Sequence, residues 1–466
     1  MNNYLASVLP KPVRLPAALL FLAAHACVAV PIRNNETLAT IHALGTLAVG
    51  LWFAWTRSTA RTIYVCAYIA GAEVLWRMSS AGVVWEFGKY ASAAILIVAL
   101  IRSRGPVHWL AISYFALLLP SAFLTMAGQT AAAAEQSISF NLSGPLAIAL
   151  CLCYFTRVKP HEVAPIRVAL AALGPIISIA TISVYSTLTA TQLAFTRNSN
   201  RVTSGDFGPN EVSAVLGMGA LFCFFFLFSG RVTAPFQALF ATGGLALSAI
   251  SVMTFSRGGM YMAIGALTAA LFCLARDSKA RGAMAVAVPV LVLMAAFAIV
   301  PSLNRFTEGA LGNRFAETQL TGRYEFLKAE METWLEHPVF GVGPGMSNSV
   351  RNRAASHTEL TRLLSDHGLF GLISMILLLT ISVKNALRGG SKVGQAFSLF
   401  LVVWAFLFML TDALRLVAPA FFIGLSSVPF ANWDFGPRPL RRLFRYRSVV
   451  SVPASANTGL NLPANI

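Results

Sequence analysis

The chain has 466 residues, 56% of them hydrophobic and only 11% charged, with a formal net charge of +17, and its mean hydropathy is +0.68. Soluble domains carry about 25% charged residues, so this composition excludes an ordinary soluble enzyme. Nucleic acid is not an expected partner either, because basic loops retained on the cytoplasmic side of a membrane explain the positive charge.

Apolar runs recur from end to end, each long enough to cross a hydrocarbon core of roughly 30 Å as a helix. They are continuous rather than alternating, so helices and not barrel strands satisfy the backbone. Hydropathy places candidate spans near 15–31, 38–56, 62–76, 84–101, 107–127, 140–156, 166–186, 211–229, 235–255, 259–275, 283–302, 366–384, 396–413 and 416–430. The first, "LPAALLFLAAHACVAVP", follows Lys11 and Arg14 and reads as a span rather than a cleavable signal, since the rest of the chain is equally apolar. The short span at 62–76 carries Glu73, and the last pair surrounds Asp412, so the expected number is about 12–14. The predicted fold is an all-α polytopic membrane protein of about 12–14 transmembrane helices with a large helical outer loop between late spans.

Charge gives the orientation. With the N-terminus inside, the cytoplasmic loops are "TRSTAR", "IRSRG", "RVKPHEVAPIR", "SGRVTAP", "ARDSKARG", "NALRGGSKV" and the tail "RPLRRLFRYRS", all basic. The alternate loops, such as "AGQTAAAAEQSIS", are small or neutral. This divides the chain into a bundle over 1–302 with an outer loop near 187–210, a large outer loop over 303–365, C-terminal spans over 366–436, and a tail over 437–466 that is basic and then disordered. Cys27, Cys66, Cys151, Cys153, Cys223 and Cys273 fall inside spans and read as small buried hydrophobes.

The long outer loop holds most of the candidate chemistry. In "GRYEFLKAEMETWLEHP", Tyr324, Leu327, Met331 and Trp334 recur at helical spacing, which predicts an amphipathic helix on the membrane surface or capping the bundle. Pro338 and the glycines of "GVGPG" end it, leaving His337 at its C-terminus. A neutral imidazole takes a proton near pH 7, so His337 is a candidate base, against the plainer reading of a surface histidine at a helix end. "GVGPG" lacks the Lys-Ser/Thr of a P-loop and reads as a turn, with close backbone approach to a ligand through Gly341 and Gly343 as the alternative. Nor does "GDFGPNE" have the partner motifs of a kinase.

Outer-side arginines run against the inside bias of positive charge. Arg201, Arg257 and Arg323 border the histidine-bearing loop, and guanidinium forks suit phosphate oxygens. His357 and His367 form no metal-binding spacing with each other, so neither a metal nor another cofactor is expected. Glu73, Glu86 and Lys89 could form a proton path, or pair within the bundle.

The succession "NRVTSGDFGPNEVSAVLG", "SRGG", "TGRYEFLKAEMETWLEHPVFGVGPGMS" and "SHTELTRLLSDHGLFG" resembles the bacterial O-antigen ligase and polymerase superfamily, in order from about 201 to 371. The resemblance implies an inner-membrane, metal-independent, inverting glycosyltransferase working on the periplasmic side. Its implied donor is an undecaprenyl diphosphate-linked O-antigen, its acceptor a sugar hydroxyl of lipid A-core, and its surroundings membrane lipids. The family histidine corresponds to His337 and the family arginines to Arg201, Arg257 and Arg323, with Arg305 and Arg314 as substitutes. Asn210 of the Pro-Asn segment, Gly341, Gly343 and His357 are the further substrate-binding residues implied. The chain departs from the pattern at Thr358, where many members have Asn, and at His367, where they usually have Glu. A polysaccharide polymerase, a protein-glycosylating ligase or, outside the class, a lipid-linked glycan flippase would share the hydropathy.

Overall fold

Inside a bilayer an apolar segment must satisfy its own N–H and C=O groups, and this chain does so by winding helices. The computed structural model describes residues 13–196, 198–316, 323–351 and 356–431, among which every regular element is helical. In chain order these are α1 (Leu15–Arg33), α2 (Glu36–Trp55), α3 (Thr59–Met78), α4 (Phe87–Arg102), α5 (Trp109–Ala116), α6 (Ala122–Gly128), α7 (Ala131–Phe155) and α8 (Pro165–Thr189). They continue as α9 (Pro209–Ser229), α10 (Ala234–Met253), α11 (Arg257–Leu274), α12 (Ser278–Phe306), α13 (Ala310–Ala316), α14 (Arg323–Glu336), α15 (Glu359–Leu387), α16 (Lys392–Asp412) and α17 (Ala418–Leu425).

Among the described residues ten helices are long and apolar enough to cross a membrane, so the chain is a multi-pass membrane protein. The other predicted spans fall short of that measure for identifiable reasons. α3 carries Arg61, Glu73 and Arg77; α4 has only 16 residues. The stretch predicted as one span at 107–127 is two short helices, α5 and α6, with Pro120 between them, where the missing N–H breaks the ladder. The last predicted span contributes only the 8 residues of α17. Conversely, α15 starts at Glu359, earlier than the predicted 366, and is interrupted at Gly368, whose φ of 59° and ψ of −137° are not helical. The tail over 437–466 lies outside the described residues.

α9 is the centre of the bundle. Its Phe222 and Phe225 interleave with Phe397 and Phe400 of α16. On its other side the contact is backbone to backbone, since a Cβ on Gly259 of α11 would lie 2.1 Å from the Ser213 carbonyl oxygen. Hydroxyls tie the same corner, with Ser251 Oγ donating to Ser213 O at 3.0 Å and Ser213 Oγ to Ser256 O at 3.0 Å. A Gly259→Val change must therefore push α11 off α9, and it is expected to destabilise the protein by about 1–3 kcal/mol, read as a lowered unfolding temperature in detergent.

All six cysteines are free. Glu73, Glu86 and Lys89 pair within the bundle: Arg77 Nη2 meets Glu73 at 2.7 Å, Lys89 Nζ pairs with Glu86, and Val417 N donates to Glu73 Oε2 at 2.6 Å.

Candidate functional site

Two clusters of the predicted site residues form at the end of the bundle that carries the long loops. The first is built on the turn between α10 and α11. Phe255 occupies the left-handed region there, with φ 58°, which reverses the chain within three residues and leaves Arg257 as the first residue of α11. Asn200 N donates to Thr254 O at 2.9 Å and Thr203 Oγ1 to Met253 O, so the loop bearing Arg201 is laced onto this turn. Ser256 does not cap α11; its Oγ donates instead to Asn210 Oδ1 at 2.7 Å, at the start of α9. From α13, buried Arg314 donates through Nε to Phe255 O at 3.2 Å. Arg201, Asn210, Arg257 and Arg314 thus share one small region. Arg257 is half-buried and Arg201 exposed, and the N–H groups of the first turn of α11 lie beside them. An uncapped helix start with guanidiniums around it suits an anion. Arg305 is exposed in the last turn of α12, and the Arg323 side chain lies outside the described residues.

The second cluster is the His337 turn, docked on the break in α15. The turn's N–H groups bond along α15, Val342 N to Ser365 O at 2.9 Å and Gly343 N to Asp366 O at 2.9 Å, while Leu369 N reaches back to Pro338 O at 2.8 Å. Gly341 and Gly343 have φ of 66° and 101°, and a Cβ would lie 2.4 Å from the Asp366 carbonyl carbon in one and 2.5 Å from Thr125 Oγ1 in the other. The close approach that these glycines permit is to α15 and α6. Buried Asp366 fastens the turn from beneath, accepting from Ser347 Oγ at 2.6 Å and from Gly345 N at 3.1 Å. Arg362 in turn holds Asn141 at 2.9 Å and pairs with Glu359 and, at 3.7 Å, with Asp366. His337 itself is exposed at the end of α14.

α14 is the predicted amphipathic helix, but polar residues sit among its buried positions, while its outer face mixes the exposed pair Lys328 and Glu332 with exposed apolar side chains. Glu330 and Thr333 are buried, with Glu330 accepting from Thr361 Oγ1, while Tyr324 is 65% and Leu335 70% exposed. A membrane headgroup region suits such a mixed face, since apolar side chains can face lipid there while charged ones reach headgroups and water. His357 stacks on Phe326 of α14 at 6.0 Å, which braces that helix. His367 is fully buried, its Nδ1 bonded to Ser121 at 2.5 Å between α5 and α6. Among the described residues no three His, Cys, Asp or Glu side chains are grouped to hold a metal ion.

A belt of buried charge runs between the clusters. Glu211, next to Asn210, lies 3.9 Å from Arg77; Arg77 Nη2 donates to Arg415 O at 2.9 Å; and Arg415 Nη2 donates to Ser356 O at 3.1 Å, just before α15. Glu359 closes it by accepting from Leu414 N at 3.2 Å. The sequence reading missed Asp366, Arg362 and Glu359, although "ELTRLLSDHG" carries all three at spacings that share a helix face inside an apolar segment. Removing the Asp366 carboxylate leaves Ser347 Oγ and Gly345 N without their acceptor and takes one of its two carboxylates from Arg362, and Asp366→Ala is expected to cost about 1–3 kcal/mol in thermal unfolding.

Residues 242–376, which contain Arg257, Arg314, His337 and the α15 break, match the family model described as O-Antigen ligase. Over this stretch the chain is similar to the O-antigen ligase family. The matched region begins within α10 and ends within α15, so it includes the α10–α11 turn, the His337 turn and the break in α15, while Thr125, Arg201 and Asn210 lie before it. No curated protein matches the chain.

Proposed function

We propose that this protein is an O-antigen ligase of the bacterial inner membrane, an inverting glycosyltransferase that moves glycan from undecaprenyl diphosphate to a sugar hydroxyl of lipid A-core on the periplasmic side. The observation that carries the proposal is the pairing of an anion-suited corner, Arg257 and the start of α11 with Arg314 and Asn210, with an imidazole on a rigidly docked turn at the same end of the bundle.

In this reading His337 accepts the proton of the acceptor hydroxyl as its oxygen attacks the anomeric carbon from the face opposite the diphosphate. The new C–O bond forms as the bond to the diphosphate oxygen breaks, the configuration inverts, and polyprenyl diphosphate leaves with the bonding electron pair. Arg257, Arg314 and the N–H groups of α11 meet the charge that grows on that leaving oxygen. Arg201 and Arg305, both exposed, reach the outer phosphate and first sugar, Arg323 stands at the start of the helix that leads to His337, and Asn210 holds Ser256 in place. Gly341 and Gly343 serve by fixing the turn, and His357 by bracing α14. The carboxylate belt and the basic corner keep the site polar beneath an apolar rim of Leu335, Val339 and Phe340, suited to substrates that are themselves amphiphiles.

The test is a competition. Purified protein receives the lipid-linked glycan together with lipid A-core, and products are weighed by mass spectrometry. Lipid A-core gaining glycan is the expected product; a lengthened lipid-linked glycan with unmodified lipid A-core would make the chain a polymerase instead.

A further inference from the structure

The opposite end of the bundle holds a second set of arginines that the proposed reaction does not use. Arg57 follows α2, Arg102 ends α4, and Arg104 lies two residues beyond; together they line one cavity of about 250 Å³. Thr59, Thr62 and Tyr154 line it too and give it hydroxyl groups. Among the described residues none of the three arginines is paired with a carboxylate, whereas at the same end Arg231 meets Asp277 at 2.6 Å. The general bias of basic residues to one face accounts for exposed Arg276, Arg281 and Arg388 but does not gather side chains round a cavity.

The cavity is also held open by rigid neighbours. Arg102 donates through Nε to Trp55 O at 3.2 Å and lies 4.6 Å over the Trp55 ring, which fixes its plane. Arg157 Nη1 donates to Ser103 O at 3.2 Å and its Nε to Pro106 O at 3.2 Å, clamping the segment that carries Arg104. Gly105 makes room for that clamp, since a Cβ there would lie 2.8 Å from Arg157 Cδ. Arg57 adopts a φ of 57°, a conformation disfavoured for a residue with a side chain, at the rim of the cavity.

The ligand chemistry follows from what flanks the cavity. Guanidinium and hydroxyl donors suit phosphate oxygens. The adjoining faces of α2 and α4 expose Trp52 (64%), Trp55 (59%) and Ile101 (76%), apolar surface that an acyl chain would cover and a small anion would not need. We propose that this cavity is a binding site for the phosphate headgroup of an anionic phospholipid, with its acyl chains along α2 and α4. It fits the general pattern of basic pockets between spans that take such headgroups, and it stands independently of the glycosyl transfer proposed above.

The test uses the full-length protein, delipidated in detergent, with retention of phosphatidylglycerol, cardiolipin or phosphatidylcholine measured by native mass spectrometry. Wild type is expected to hold the anionic lipids over phosphatidylcholine by about 10²-fold, from roughly one kcal/mol for each of three arginines near an anionic headgroup. A triple variant, R57Q with R102Q and R104Q, is expected to lose that preference, while R276Q with R281Q and R388Q keeps it. Should the cavity triple not fold, R104Q alone is expected to lose about fivefold, because its side chain makes no bond that holds the fold. Equal preference in the cavity variants and wild type would overturn the proposal. So would displacement of the lipid by millimolar inorganic phosphate, which would mark a small-anion site.

Discussion

A His337→Ala protein is expected to transfer glycan about 10²–10⁴-fold more slowly than wild type at neutral pH, with its unfolding temperature nearly unchanged. The effect is confined to chemistry because the turn is held by backbone bonds that alanine keeps: His337 N donates to Thr333 O at 3.1 Å and Gly341 N to His337 O at 3.1 Å. The side chain is exposed, so its removal opens no cavity. His337→Gln separates the two roles open to the imidazole. Glutamine can hydrogen-bond an acceptor hydroxyl but cannot take its proton, so it is expected to be as slow as alanine, while restored rates in the glutamine variant would assign orientation instead of proton transfer. Single-turnover rates with saturating donor and acceptor make the comparison.

Arg257→Gln is expected to lower the transfer rate by about 10²–10³-fold, the usual cost of removing one group aimed at developing charge. Glutamine retains hydrogen-bonding capacity and loses the positive charge, so the deficit should appear in kcat more than in the donor's KM if the guanidinium meets the leaving diphosphate. Arg257→Lys is expected to recover part of the rate, because a point charge remains but the planar fork is lost. The surrounding corner should stay intact in both variants, since Ser256 to Asn210 and Arg314 to Phe255 bond without the Arg257 side chain.

Fold class, the approximate positions of the spans and the helix before His337 were legible because hydropathy and helical spacing are local signals. What periodicity could not give was the set of short polar departures. Pro120 marks the break between α5 and α6 within 107–127, but nothing local shows that Ser121 at that break meets His367. The spacing of α14 predicts an apolar inward face, yet Glu330 and Thr333 are buried in it, because Glu330 finds its partner in Thr361 at the polar start of α15. The glycines of "GVGPG" were readable as a turn, but their contact with Asp366 and Thr125 depends on residues far away in sequence. Glu73 and Lys89 resolved into ion pairs because their partners, Arg77 and Glu86, arrive from neighbouring turns of the same helical pair.

The most direct test of the account is the reaction itself, carried out by purified wild-type protein in detergent with a metal chelator present. The account predicts that glycan leaves its polyprenyl diphosphate and appears on a lipid A-core hydroxyl with inverted anomeric configuration, at a rate unaffected by the chelator. Transfer that stops on chelation and returns with a divalent metal, or a product that retains configuration, would contradict it.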